Sequence, residues 1–239
     1  MPTAVVIDGA YFLRRFKHRY PTLDPHHPGD VVVGVMWLAA THMAFRLGWD
    51  PLEFTGKSAD RTFLDTRWTE PADLYRIFFY DCAPLTKRVH HPISKRHLNL
   101  AQTPEALARL AIHSELLKVR KVALRLGRLN DQFGWRPKPQ SVERWLADTS
   151  TFAPTDDDFE IDTVQKGVDM RLGLDIASMA FKRQVDQIVM VAADADFVPA
   201  VKLARREGID VVLDPMGGHP ASDLIAHADG IRDIPGKHK

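Results

Sequence analysis

The stretch "DQIVMVAADADFVPAVKLARREGIDVVLD", residues 186–214, decides the fold. From Ile188 to Ala193 the side chains are apolar on successive positions rather than on alternate ones, the pattern of a strand covered on both faces. "DFVPAVKLARREG" then reads as a helix stopped by Gly208, and "IDVVLD" as a second buried strand. "ASDLIAHAD" continues as a helix and "GIRDI" as a short last strand. Strands that alternate with helices lie parallel, with the helices covering both faces of the sheet. The expected class is therefore α/β, a three-layer α/β/α sandwich with a mainly parallel central sheet.

Upstream the same grammar holds. "TAVVID" (3–8) is a continuous apolar run ending on Asp8 and Gly9, a buried strand with a polar C-terminal end. "DVVVGVMWLAATHMAFRLG" is apolar at helical spacing (Val32, Val35, Met36, Ala39, Ala40, Met43, Leu47), with Asp30 as N-cap and Gly48 as stop. "DLYRIFFYDCAP" is another strand, closed by Pro84. In "QTPEALARLAIHSELLKVRK" Thr103 caps a helix, Pro104 takes its first position, and Leu107, Leu110, Ala111 and Leu117 form its apolar stripe. "VALRLGRL" suits an edge or half-exposed strand, and 130–160 reads as loops around a short helix at 141–147. A further helix, "VDMRLGLDIASMAFKRQ", begins near Asp169.

At 239 residues, 45% hydrophobic and 26% charged, the chain suits a single domain over 1–239. Cys82 is the only cysteine, which excludes a disulfide framework or cysteine-based zinc. The first residues lack the apolar region of a signal peptide. The longest apolar candidate for a membrane span, 31–45, carries Thr41 and His42, so a cytoplasmic protein without membrane contact is expected. Residues 85–147 hold 13 Lys/Arg against 4 Asp/Glu in a chain of net charge +1, a basic, partly helical insertion in an otherwise acidic protein. Both a polyanionic partner and plain solvated helix faces fit that asymmetry.

Sites in open parallel sheets form beyond the C-terminal strand ends. Asp8, Asp194 and Asp196 follow strands, and Asp169 stands at a helix start. Each also suits a helix N-cap. Converging on one volume, four carboxylates would repel one another unless a cation or local bases neutralised them, and an all-oxygen set suits Mg2+ or Mn2+. Asp175 lies about 240° round the helix from Asp169 and does not share its face. Arg14, Arg15, Arg120, Lys121, Arg125 and Lys166 are candidate phosphate contacts, with Phe133 and Trp135 available for base stacking. Trp135 serves equally as a loop anchor, and His90, His91 and His97 lack metal spacing. No Gly-x-x-x-x-Gly-Lys or Gly-x-Gly-x-x-Gly loop is present.

"VVIDGAYF", "QKGVDMRLGLDIASMAFKRQVDQIVMVAADADFVPAVKLARREGIDVVL" and "SDLIAHADGIRDI" together resemble the NYN domain family, a branch of the PIN-like metal-dependent ribonucleases. The resemblance implies a PIN-like sandwich whose Asp8, Asp169, Asp194 and Asp196 bind one or two divalent ions (Mg2+ or Mn2+), with Asp175 at a helical acidic position many members share. RNA is the implied partner, and a homo-oligomer is compatible. Members commonly carry Asn where this chain has Tyr11, and Gly and Ser where it has Ala193 and Ala195. Tyr11 thus occupies a supporting position beside the acidic set. Three functions follow as expectations: a metal-dependent ribonuclease, a catalytically weak RNA- or protein-binding regulatory domain, and another Mg-dependent phosphoryl-transfer enzyme.

Overall fold

A computed structural model describes residues 2–46, 48, 74–130, 134–163 and 165–234 of the chain. In chain order the elements are β1 (Thr3–Asp8), α1 (Gly9–Arg19), α2 (Pro28–Arg46), β2 (Leu74–Cys82), β3 (Arg88–His90), β4 (His97–Asn99), α3 (Pro104–Leu117) and β5 (Val122–Leu129). There follow β6 (Gly134–Pro137), α4 (Pro139–Ala147), β7 (Phe159–Asp162), β8 (Gln165–Lys166), α5 (Val168–Phe181), β9 (Gln187–Val191), α6 (Val198–Arg206), β10 (Asp210–Leu213), α7 (Ser222–His227) and β11 (Gly230–Ile231). The central sheet runs β11-β10-β9-β1-β2-β5-β8. Six of its strands are parallel, and β8 closes one edge antiparallel to β5. The α/β/α sandwich expected from the sequence is the fold observed.

Alternation along each strand divides the core in two. Val5, Ile7, Ile77, Phe79, Val189 and Val191 face the layer that holds α1, α2 and α3. Ala4, Val6, Phe78, Tyr80, Ile188 and Met190 face α5, α6 and α7. In the first layer Phe12 meets Phe16 and Phe79 edge-on, with ring centroids 5.5 and 5.9 Å apart. A Cβ on Gly34 would stand 2.6 Å from the Phe16 ring, so α1 and α2 approach this closely only because residue 34 is glycine.

Four local readings change. The second helix starts at Pro28, with Asp30 inside its first turn, where the carboxylate accepts from the Asp24 amide rather than capping. At 19 residues it is long and apolar enough to cross a bilayer, contrary to the reading of 31–45. Its side chains are instead spent on the core: Thr41 donates to the Trp37 carbonyl and His42 meets Asp214. The expected stripe on α3 is inverted. Leu107, Leu110 and Leu117 are exposed, whereas Ala106, Ile112, His113 and Leu116 are buried, because the helix is turned to bring His113 onto the carboxylate of Asp81. Residues 134–137 and 159–160, read as loops, belong to β6 and β7, which pair with each other, whereas β5 is half-buried along most of its length, as one of its two readings had it. Leu47 and Phe133 lie outside the described residues.

Beyond β10 a buried charged knot ties the layers together. Asp214 has no exposed surface; it receives His42 Nε2 at 2.9 Å, Arg19 at 3.4 Å and the Met216 amide at 2.8 Å. Arg19 also bonds Asp233, which joins α1 to the segment after β11. Burial pushes the pKa of His42 down, while its bond to Asp214 acts in the opposite direction. Removing the cation from such a group leaves an uncompensated buried charge. Arg19→Met is therefore expected to lower the unfolding free energy by about 3 kcal/mol in urea titrations. A loss below about 1 kcal/mol would mean that His42 and the Met216 amide satisfy Asp214 without it.

Candidate functional site

The parallel register fixes where the polar strand ends fall. Ile7 pairs with Val191 and Asp8 with Tyr80, so Asp8, Asp81 and the 192–196 loop emerge along one edge of the sheet. The Asp8 carboxylate caps α1, accepting from the amides of Ala10 at 3.0 Å and Tyr11 at 3.1 Å. Asp194 caps a short 3-10 turn by accepting from the Asp196 amide at 3.1 Å. Gly167, at φ 79°, precedes α5 and sets Asp169 in the first helical turn. Capping and clustering are thus properties of the same residues.

The four carboxylates sense one another. Burial raises the pKa of Asp8; the Tyr11 amide, Arg14 and the Ala10 amide oppose this, and Asp169 adds to it. Burial likewise raises Asp169, and Asp196 and Asp194 reinforce the shift. Among the described residues none of the four has an ion-pair partner. Their spacing is nevertheless open: no three His, Cys, Asp or Glu side chains among the described residues stand close enough together to hold one ion. The donor set has the all-oxygen chemistry of a hard divalent cation, without a closed shell.

The neighbouring carboxylates are different. Asp175, expected beside the cluster, accepts from the Tyr80 hydroxyl at 2.8 Å and from Arg125 Nε at 2.9 Å. Burial and Asp175 together push the Tyr80 pKa up. Asp81, which the sequence reading passed over, is buried and receives Arg109 and His113, each at 2.8 Å. Tyr11 points away from the acids: its hydroxyl donates to the Pro215 carbonyl at 2.5 Å.

The candidate RNA contacts scatter. Arg15 donates to the carbonyls of Met216 at 3.2 Å and Gly217 at 2.6 Å, clamping the loop after β10. Lys121 donates to the Leu74 carbonyl. With Arg120 it precedes β5, toward the opposite end of the sheet from the acids: by register Lys121 lies level with Ala4, about 13 Å of strand rise before Asp8. Arg125 is held on Asp175 and over the Phe78 ring. Lys166 pairs through its backbone with Arg128, and its side chain lies outside the described set. Arg14 is exposed, beside Asp8 and without an ion-pair partner among the described residues. Trp135 is the anchor of the two readings, its indole donating to the His90 carbonyl at 3.0 Å and stacking on His91.

An α/β/α sandwich with unpaired aspartates at the C-terminal strand edge defines a class of PIN-like, nuclease-related folds. The NYN domain model matches residues 111–235, and the chain belongs to the NYN domain family. The match contains Asp169, Asp175, Asp194 and Asp196, whereas β1 with Asp8 precedes it. No curated protein and no solved structure matches the chain.

A carboxylate whose pKa is raised by folding contributes stability below its unfolded value and loses it as pH rises through the folded one. Asp8→Asn keeps the cap and removes the charge. In chelator, its melting temperature is expected to gain on that of the wild type as pH rises from about 4 to 7. Asp8→Ala should stay about 1 kcal/mol below Asp8→Asn throughout. A pH-independent gap between Asn and wild type would show that Asp8 titrates normally.

Proposed function

We propose that the chain is a divalent-cation-dependent ribonuclease that hydrolyses RNA phosphodiester bonds at the edge formed by Asp8, Asp169, Asp194 and Asp196. The observation that carries this reading is a contrast in charge compensation. Asp81, Asp175 and Asp214 each form an ion pair with an arginine, while among the described residues the four edge carboxylates form none, Asp8 having Arg14 nearby without an ion pair. Uncompensated carboxylates held together by rigid strand ends and helix starts favour a bound cation.

Mg2+ or Mn2+, held by Asp8 and Asp194 with Asp169 and Asp196 binding directly or through water, would make water a better nucleophile at phosphorus and stabilise the leaving oxygen. The chain's own contribution is orientation. Asp8 and Asp194 each have one oxygen fixed by backbone amides, which aims the other outward and spares the site much of the ordering cost. Arg14 contributes positive charge for the incoming phosphate beside a site that would otherwise repel it.

A second reading, an NYN-type RNA-binding module with little turnover, draws on the open spacing of the acids and on Tyr11 being engaged by Pro215. Incubation with mixed RNAs and Mn2+ separates the two. The ribonuclease reading expects chelator-sensitive cleavage that Asp194→Asn slows roughly 100-fold, equivalent to about 2.7 kcal/mol of barrier. RNA retention in gel shifts with no cleavage would favour the binding module. In the same assays Arg14→Ala should flatten the salt dependence of RNA binding by about one unit of slope, with Arg120→Ala leaving it unchanged.

A further inference from the structure

Between α1, the turn before α2 and α3 lies a cavity of about 370 Å3 that the acidic edge does not account for. Its walls include Ala10, Leu13, Ala108 and Ile112, and its polar positions include Arg14, Arg109, His26 and Glu105. Ala10 is the residue whose amide holds the Asp8 carboxylate, so the cavity opens within one helical turn of the candidate site. Arg109 is positioned rather than free to wander: its Nη1 sits on buried Asp81 at 2.8 Å, and the side chain stays about one-third exposed (31%). Arg14, by contrast, has no ion-pair partner among the described residues. Apolar lining residues together with two arginines have the composition of a small-molecule site that takes a flat apolar body and an anionic group.

We propose that this cavity seats the nucleotide next to the scissile phosphate, its base against Leu13 and Ile112 and its phosphate between Arg14 and Arg109. The assignment rests on the ribonuclease reading for its place in the reaction, but the binding itself does not need turnover. Glu105 on the rim is an acceptor for exocyclic amino groups of a base, and His26 a further polar contact. Asp81 and His113 are positioning residues, since they act through the orientation of Arg109.

Titration of the full chain in chelator with adenosine 5′-monophosphate, cytidine 5′-monophosphate, adenosine and inorganic phosphate tests the cavity without metal or cleavage. The nucleotides are expected to shift the methyl resonances of Leu13 and Ile112 and to bind at least about tenfold more tightly than either fragment, the gain expected when two contacts are joined in one ligand. Ala108→Trp, which fills the cavity, should abolish those shifts. Arg14→Glu, a change at an exposed position that leaves the core untouched, should weaken nucleotide binding about tenfold and keeps the test decisive if Ala108→Trp fails to fold. In the RNA assay both variants should raise KM more than they lower kcat. Nucleotide binding that both variants leave unchanged, or no methyl shifts with any nucleotide, overturns the assignment. Nucleotide binding with no RNA cleavage by the wild type upholds the cavity and removes the ribonuclease reading. Cleavage without nucleotide shifts does the reverse.

Discussion

The parallel pairing of β1 with β9 on one side and β2 on the other governs the geometry of the acidic edge. Both neighbours run in the same direction, so their polar ends emerge together, and burial on both faces leaves no tolerance for register slip. A shift of one residue would turn the apolar set Val5 and Ile7 toward the wrong layer. The same register carries Asp8 to the level of Tyr80 and the 192–196 loop. A hydrophobic requirement thus fixes a polar geometry, and the acids need no dedicated scaffold of their own.

That edge sorts its aspartates by what the fold offers each. Asp81 gains Arg109 and His113, Asp175 gains Arg125 and the Tyr80 hydroxyl, and Asp214 gains Arg19 and His42. These are structural charges, neutralised where they are buried. Asp8 and Asp194 receive backbone amides, none of Asp8, Asp169, Asp194 and Asp196 has an ion-pair partner among the described residues, and burial, with like charge added, raises Asp8 and Asp169. Residue type alone does not separate the groups. The partner does, and the partner is tertiary.

The strand and helix alternation over 186–231 was legible because burial on both faces writes itself as continuous apolar runs. The acids at the ends of those runs were legible for the same reason. The α3 stripe was not. Leu107, Leu110 and Leu117 have the helical spacing of a buried face, yet the helix rotates to satisfy Asp81 through Arg109 and His113. The rotation pairs Asp81, which unpaired would be a costly buried charge, and Ile112 and Leu116 take the buried places instead of the leucines. The i, i+4 pairing of Arg109 with His113 was the available signal, as was His42 in an otherwise apolar helix. Residues 134–137 and 159–162 went unseen as strands because their pairing joins segments more than twenty residues apart and each is only four residues long, too short for the alternation of Phe159 and Ile161 with Glu160 and Asp162 to stand out.

The basic excess of 85–147 has a similar explanation. Its arginines look like a nucleic-acid footprint in sequence, but the fold supplies acids to them from outside the segment. Asp81 meets Arg109, Asp156 meets Arg96, Asp158 meets Arg144, Glu160 and Asp162 meet Arg136, and Asp175 meets Arg125. The exposed ones among these pairs add little stability each, so their main effect is on the field. A segment that would be strongly positive alone becomes locally balanced, and its attraction for a polyanion falls accordingly. The cations that keep their reach are those placed where no acid answers them. Arg14, on the helix that Asp8 caps, has no ion-pair partner among the described residues, so an exposed cation stands beside the acidic edge rather than within the insertion.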